Sequence, residues 1–179
     1  NRQIKDIENL VNEFSSFARM PNPIFSQIDI SFVIKRATDF YKMSSTNQIF
    51  FKIPPAKLTI RGDEEQLYRV FSNLIKNSEE SIQEKREKNT DFKGKIYIEI
   101  KDNNDYINIT LVDNGTGIKD ISKIMTPYFT TKKNGTGLGL PIVSKIINEH
   151  NGEIQISDNK IGVKVTINLP KNKKWKEKF

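Results

Sequence analysis

The sequence of 179 residues contains no cysteine, a single histidine and no long uninterrupted apolar run. Without cysteine the chain cannot form a disulfide framework or a thiolate metal site, which fits a reducing compartment. Its apolar runs are shorter than a bilayer requires, so we expect a soluble, cytoplasmic segment. Because the first residue is Asn1 rather than Met, we expect a longer parent protein, in which any anchor in an inner membrane would lie upstream.

The formal net charge of +7 raises the question of a nucleic-acid or membrane partner. The charge is concentrated in residues 171–179, where five lysines and one glutamate supply +4. The rest of the chain is nearly balanced, and a short basic tail is usually solvated. We therefore predict no nucleic-acid partner, and contact with a membrane only through an upstream anchor.

Residues 1–20 have the apolar spacing of a helix that packs against another helix. A single helix cannot bury such a stripe, so the pattern predicts a dimerisation helix with a hairpin partner or a second subunit; packing back on its own domain is the alternative. Prolines end this helix, and residues 21–27 form a predicted linker. The stripe follows steps of three and four residues: Ile4, Ile7, Val11, Phe14 and Ala18.

Residues 28–170 alternate between strand and helix patterns and should form one domain. Helices are predicted after Ser31 as N-cap, from Asp63 with its capping partner Gln66 to a loop over residues 85–94, and over residues 140–149. Paired strands with helices between them predict a mixed sheet with helices on one face, an α+β fold of two layers. Strands are predicted at residues 28–30, 49–53, 57–61, 95–100, 106–112, 153–157 and 162–169.

The helix opened by Asp63 carries Asn73, Asn77 and Glu80 on a stripe beside its apolar face. An amide oxygen is a suitable hard ligand for Mg²⁺, which takes one or two protein oxygens besides phosphate oxygens and water. Polar residues on a helix more often simply face solvent, so this stripe alone leaves both interpretations open.

Two glycine-containing runs follow. DNGTGI begins at Asp113, where a carboxylate at a strand end could accept a hydrogen bond from an amine such as that of adenine; a plain turn is the alternative. GTGLGL begins at Gly135 and opens a helix, which leaves backbone N–H groups for phosphate oxygens. The glycine spacing lacks the Rossmann arrangement, and the sequence contains no G-x-x-x-x-G-K-[ST] run, so neither a dinucleotide fold nor a P-loop is expected.

In this order, the motifs resemble the N, G1, F and G2 boxes of sensor histidine kinase catalytic domains. They are the Asn-bearing helix, DNGTGI, PYFTTK from Pro127, and GTGLGL followed by PIV from Pro141. The resemblance covers residues 28–170 and implies the two-layer α/β sandwich of histidine kinase/Hsp90-type ATPases. Residues 1–20 resemble the second helix of the family's dimerisation hairpin, and residues 13–19 are similar to nitrogen-regulation kinases of the NtrY/NtrB kind.

The resemblance also implies a role for each matching residue. Asn77 would bind Mg²⁺, Asn73 and Lys76 would support the phosphates, and Asp113 would recognise the adenine of ATP. Asn77 and Lys132 would serve phosphoryl transfer itself. Further contacts with ATP or ADP would come from the G1 glycines, the ATP lid and the G2 box: Gly115, Gly117, Phe129, Thr131, Lys132, Gly135, Thr136, Gly137, Leu138 and Gly139.

The implied activity is that of an ATP-dependent protein-histidine kinase. It would act as a homodimer through the N-terminal helix, phosphorylate a histidine on a hairpin helix and serve the receiver domain of a response regulator. His150 ends a helix and is expected to cap or pack rather than to accept phosphate. Related ATPases carry a glutamate where this chain has Asn73, and an amide cannot act as a base. An ATPase clamp is therefore a weaker alternative, beside a non-catalytic nucleotide-binding dimerisation module.

Overall fold

The computed structural model describes residues 20–118, 120–130, 132, 135–159 and 161–171, together with the isolated positions 4, 11 and 15. Those three isolated positions are helical. The rest of the dimerisation helix predicted over residues 1–20, and residues 172–179 of the basic tail, lie outside the described residues. Within the described part of the chain, no helix combines the length and apolar character needed to cross a bilayer.

The seven described strands form two sheets. A two-stranded antiparallel sheet pairs β1 (Ser26–Asp29) with β3 (Thr59–Gly62). The main sheet has the order β2-β4-β5-β7-β6, in which β2 runs parallel to β4 and the other neighbours are antiparallel. These strands are β2 (Gln48–Lys52), β4 (Lys95–Asp102), β5 (Tyr106–Asp113), β6 (Glu153–Asn159) and β7 (Gly162–Pro170).

Three described helices complete the domain: α1 (Ile30–Lys42), α2 (Glu64–Lys88) and α3 (Gly139–Glu149). The helix α2 lies between the other two and contacts both. Its predicted inward residues are all buried: Leu67, Val70, Phe71, Leu74, Ile75 and Ile82. The mixed sheet with its helices confirms the predicted α+β fold class.

The main sheet buries one face, as the alternation in its sequence indicated. On β4, Ile96, Ile98 and Ile100 are at most 3% exposed, whereas Tyr97 between them is 45% exposed. The same alternation along β5 ends at Asp113, which therefore lies on the buried face although it is charged. Because side chains alternate between the two faces of a strand, the Asp113 carboxylate lies in the interior at the end of β5.

The predicted capping pair at the start of α2 is confirmed, since the Asp63 carboxylate accepts the Gln66 N–H at 3.0 Å. The strand predicted over residues 28–30 lies instead at Ser26–Asp29, and two helix boundaries were also wrong. Asp29, not Ser31, caps α1, because its carboxylate accepts the Ser31 N–H at 3.0 Å while Ile30 is already helical and buried. The helix α2 also continues to Lys88 instead of giving way to a loop at residue 85.

Candidate nucleotide site

Asp113 is 3% exposed and accepts three hydrogen bonds. Its Oδ1 accepts the N–H of Gly115 at 2.9 Å and that of Val163 at 3.3 Å, and its Oδ2 accepts the hydroxyl of Ser78 at 3.0 Å. Burial raises the pKa of Asp113, while the bonds from Gly115, Ser78 and Val163 and the charge of Lys132 oppose the rise. Three segments distant in sequence therefore orient one carboxylate.

This carboxylate lines a cavity of about 550 Å³ between α2, the loop after β5, and β6 and β7. That volume suits a small organic ligand. Its lining combines apolar and polar side chains, and Asp113 is the deeply buried acceptor among them. The apolar part comes from Leu74, Ile118, Ile124, Phe129, Leu140, Ile156, Ile161, Val163 and Val165. A flat ring that carries an amine fits this combination of apolar walls and one fixed acceptor.

A second, more polar cavity of about 280 Å³ adjoins the first and shares several lining residues with it, including Asn77 and Phe129. Its lining contains predicted site residues from α2 and from the glycine run that begins at Gly135. The α2 side contributes Arg69, Asn73, Lys76, Asn77 and Glu80, and the glycine run contributes Gly135, Thr136, Gly137 and Gly139. Basic side chains facing a glycine-rich backbone make this cavity suitable for phosphate groups.

Asn77 shares a cation with Glu80 at the junction of the two cavities. The Lys132 ammonium donates to Asn77 Oδ1 at 3.1 Å and to Glu80 Oε2 at 2.5 Å. The amide oxygen of Asn77 therefore already accepts from a cationic group, and it is the kind of hard oxygen that Mg²⁺ takes as a protein ligand. Asn73, one turn earlier, uses its amide N–H to bond the carbonyl of Arg69 at 2.9 Å.

Close packing requires glycine at position 137 of the GTGLGL run, and Gly139 lies beside the asparagines of α2. Gly137 has φ +70°, and a Cβ there would lie 2.5 Å from the carbonyl carbon of Tyr128. Gly139 faces the asparagines, since a Cβ on it would lie 3.5 Å from Asn73 Oδ1. The helix α3 begins at Gly139, which lines the polar cavity, and no side-chain cap uses the N–H groups of its first turn.

The remaining predicted site residues divide into three groups. Gly115 and Gly117 line the larger cavity, and Gly117 has φ +77°. Leu138 does not face either cavity, because its side chain is fully buried in the core; only its backbone belongs to the loop. Thr131 lies outside the described residues.

Three residues of α2 that we did not predict hold the loop after β5. Ser78 bonds Asp113, Ser81 accepts the Thr116 N–H at 3.0 Å, and Lys85 bonds the carbonyls of Asn114 and Gly115. They follow one another at i, i+3 and i+7, on one stripe of the helix. This spacing is visible in the sequence, but small hydroxyls and a lysine do not by themselves indicate what they bind.

His150 lies away from both cavities and is 2% exposed. Its Nε2 accepts the N–H of Asp63 at 2.9 Å, its Nδ1 bonds the carbonyl of Ile146 at 2.8 Å, and the ring of Phe25 meets it edge to face. His150 therefore has the packing role that we expected for it.

Comparisons with known proteins found a matching family and several similar proteins. Residues 62–173 match the family described as histidine kinase-, DNA gyrase B-, and HSP90-like ATPase. The chain is 35% identical over 159 residues to nitrogen regulation protein NtrY of Azorhizobium caulinodans, which covers 88% of this chain and 20% of that protein. It is 40% identical over 116 residues to sporulation kinase B of Bacillus subtilis, which covers 63% of this chain and 26% of that protein.

Among solved structures, the nucleotide-free catalytic domain of histidine kinase ThkA superposes with a TM-score of 0.72 at 27% identity. That superposition covers 83% of this chain and 96% of the ThkA domain. The chain thus corresponds to nearly the whole of a solved catalytic domain but spans only 20% and 26% of the two curated relatives.

Proposed function

The chain belongs to the histidine kinase-, DNA gyrase B- and HSP90-like ATPase family, and from this premise we propose that it binds Mg²⁺-ATP and donates the γ-phosphoryl group to a protein histidine. The acceptor would lie on a dimerisation hairpin, and the phosphoryl group would pass on to the receiver domain of a response regulator. The parent protein would be a homodimeric sensor kinase of the NtrY kind. In this arrangement the described domain supplies the nucleotide half of the reaction.

The observation that carries this proposal is the buried, fully oriented carboxylate of Asp113 at the base of the larger cavity. An ionised carboxylate only accepts hydrogen bonds. A base with an exocyclic amine satisfies it, whereas a carbonyl at the same position would leave two acceptors facing each other without a proton. The apolar walls, including Leu74 and Val165, would cover the two faces of the adenine ring.

The triphosphate would then extend into the polar cavity toward Lys76 and the N–H groups of the glycine run. The oxygen of Asn77, already paired with an ammonium, fits as a protein ligand for Mg²⁺, and the metal would neutralise phosphate charge during transfer. The Lys132 ammonium, which bonds Asn77 and Glu80 in this structure, would then turn to phosphate oxygens as a second positive charge. Phosphoryl transfer depends chiefly on such positioning and charge neutralisation.

Asn73 favours transfer over hydrolysis. It occupies the place where a water-activating carboxylate would have to lie, one turn before Asn77, and its amide N–H is engaged by the carbonyl of Arg69. An amide has no basic group at neutral pH, so nothing at this position would deprotonate a water molecule. The ATPase-clamp function is therefore the less supported of the two.

A nucleotide titration tests the binding site. Asp113→Asn should weaken ATP binding by about tenfold or more, because the acceptor for the amine is partly replaced by a donor. Asp39→Asn removes the same charge from the exposed face of α1, where Asp39 pairs with Lys35, and should bind ATP like the wild type. Equal affinities for all three proteins would overturn the site assignment.

Phosphoryl transfer needs a second experiment. The protein is mixed with γ-labelled ATP and a separately supplied NtrY-type hairpin that carries its histidine, and acid-labile label on the hairpin is measured. Transfer that is lost in Asn77→Ala supports the proposal. Steady release of phosphate without labelling would instead indicate an ATPase, and bound ATP with neither product would indicate a non-catalytic module.

A further inference from the structure

Lys85 lies near the C-terminal end of α2, one turn beyond Ser81. Its ammonium donates to the backbone carbonyls of Asn114 at 2.7 Å, Gly115 at 2.8 Å and Ile161 at 3.2 Å. A lysine ammonium offers three N–H donors and no acceptor, so these carbonyls use its full capacity. The lysine thereby joins α2 to two separate segments of the cavity wall, the loop after β5 and the turn before β7.

Phe92 holds this ammonium in place. The charged nitrogen lies 4.7 Å from the centroid of the Phe92 ring, within the range of a cation–π contact. The ring itself packs against the hydrophobic core. The lysine side chain is half-buried, so water screens its bonds less than those of an exposed surface lysine.

The carbonyl of Asn114 and the N–H of Gly115 belong to the same peptide group. That N–H donates to Oδ1 of Asp113 at 2.9 Å, so one planar unit is bonded by Lys85 at its oxygen and by Asp113 at its nitrogen. A hydrogen bond to the oxygen polarises the peptide and strengthens the bond made by its N–H. Lys85 therefore acts on Asp113 through a single peptide plane.

The next peptide group is held in the same manner. Its oxygen, from Gly115, accepts from Lys85, and its N–H, from Thr116, donates to Ser81 Oγ at 3.0 Å. Only glycine fits at position 115 at this distance from α2, because a Cβ there would lie 2.2 Å from that same hydroxyl oxygen. Lys85 and Ser81 together set the distance between the helix and the loop.

We propose that Lys85 is a positioning residue that holds the Asn114–Gly115 peptide, and through it the Asp113 carboxylate, where it selects a base with an exocyclic amine. The proposal rests on the proposed nucleotide site. Lys85 also lines the larger cavity, but three carbonyls use its ammonium, so the proposal assigns to it no contact with the nucleotide. Its consequence is a loss of base selectivity, not a general loss of binding, when the ammonium is removed.

The test compares ATP with inosine triphosphate, which has a carbonyl in place of the amine. Lys85→Met keeps the length of the side chain and removes the charge. It should weaken ATP binding by about tenfold and inosine triphosphate binding by less than about twofold, because only the amine uses Asp113. Lys85→Arg should restore part of the preference, since a guanidinium also donates several N–H bonds to carbonyls.

Lys101→Met is the matched control. It removes the same charge from β4, where the Lys101 ammonium is exposed, pairs with Glu99 at 3.1 Å and lines neither cavity. It should keep the wild-type preference for ATP. A nucleotide-free melting curve checks that each variant is folded; if Lys85→Met does not fold, Phe92→Leu removes the ring beneath the ammonium and should reduce the preference in the same direction.

Two results would overturn the inference while leaving the proposed function intact. One is a Lys85→Met variant that prefers ATP as strongly as the wild type does. The other is a variant whose affinities for ATP and inosine triphosphate fall equally, which would mean only a looser cavity. A wild-type protein that binds neither nucleotide would instead refute the proposed function, and the inference with it.

Discussion

Replacing His150 by glutamine should remove most of the acid sensitivity of the stability of this domain. The Nε2 of His150 accepts the Asp63 N–H, so its Nδ1 must carry the proton that it shares with the Ile146 carbonyl. A protonated ring would have no acceptor left for Asp63. Burial lowers the pKa of His150, an effect partly offset by the carbonyl of Ile146 and the charges of Asp63 and Glu149.

The sign of the pH dependence follows from this lowered pKa. An unfolded histidine titrates near pH 6.5, so as the pH falls the unfolded chain binds its proton before the folded one does. The stabilisation is complete above about pH 6.5 and is lost between that pH and the lower folded pKa, by about 1.4 kcal/mol per pH unit. Protonation of Asp113 has the opposite effect on stability. Because its folded pKa is raised, the folded state binds this proton before the unfolded chain does, and acid stabilises the fold at this residue.

Urea unfolding at about pH 7.5, 6.5 and 5.5 measures the effect on wild type, His150→Gln and His150→Leu. The glutamine oxygen can accept the Asp63 N–H without titrating. Leucine leaves that N–H unpaired, at a cost of about 1–3 kcal/mol at every pH. The free energy of unfolding of the wild type should fall as the pH falls. That of both variants should change little with pH, and the leucine variant should be the less stable of the two. A glutamine variant that falls as steeply as the wild type would refute the assignment to His150.

Three shorter predictions concern the nucleotide site. Asn77→Ala should abolish the strengthening of ATP binding by Mg²⁺ but change binding in EDTA little, as titrations in the two buffers will show; an intact Mg²⁺ effect would exclude Asn77 as the ligand. Gly137→Ala should weaken ATP binding while the protein stays folded, because φ +70° and the 2.5 Å approach to Tyr128 force the loop to shift; wild-type affinity would contradict this packing. ATP affinity should fall as acid protonates Asp113, whose pKa burial raises, and this fall should be absent from Asp113→Asn across the same pH series.

The fold could be predicted from the sequence because its strong signals are local. These signals each depend on neighbouring residues: the alternation along β4 and β5, the spacing of apolar residues on α2, and the Asp63–Gln66 capping pair. Local signals did not decide the start of helix α1. Asp29 and Ser31 are both good N-cap residues, and the choice between them depended on burying Ile30, which only the assembled core determines.

Candidate site residues could be named for a different reason, namely the order of the four motifs. That order named several residues that line the two cavities, although it says nothing about side-chain direction. Leu138 was counted with its glycine neighbours, yet its side chain completes the core. A motif of six residues contains both loop backbone and core packing, and only the start of α3 at Gly139 separates the two.

The wrong end of α2 and the absence of Lys85 from the predicted site are one error. With a loop starting at residue 85, Lys85 could not share a helical stripe with Ser78 and Ser81. Its partners could not correct this, because every residue offers a backbone carbonyl and none of the three is marked by its side chain. The bonds that Lys85 makes to those carbonyls also fasten the last turns of the helix. Lys85 thus reaches those carbonyls from a turn of α2 that was predicted as a loop, so the wrong boundary and the missed contact have one cause.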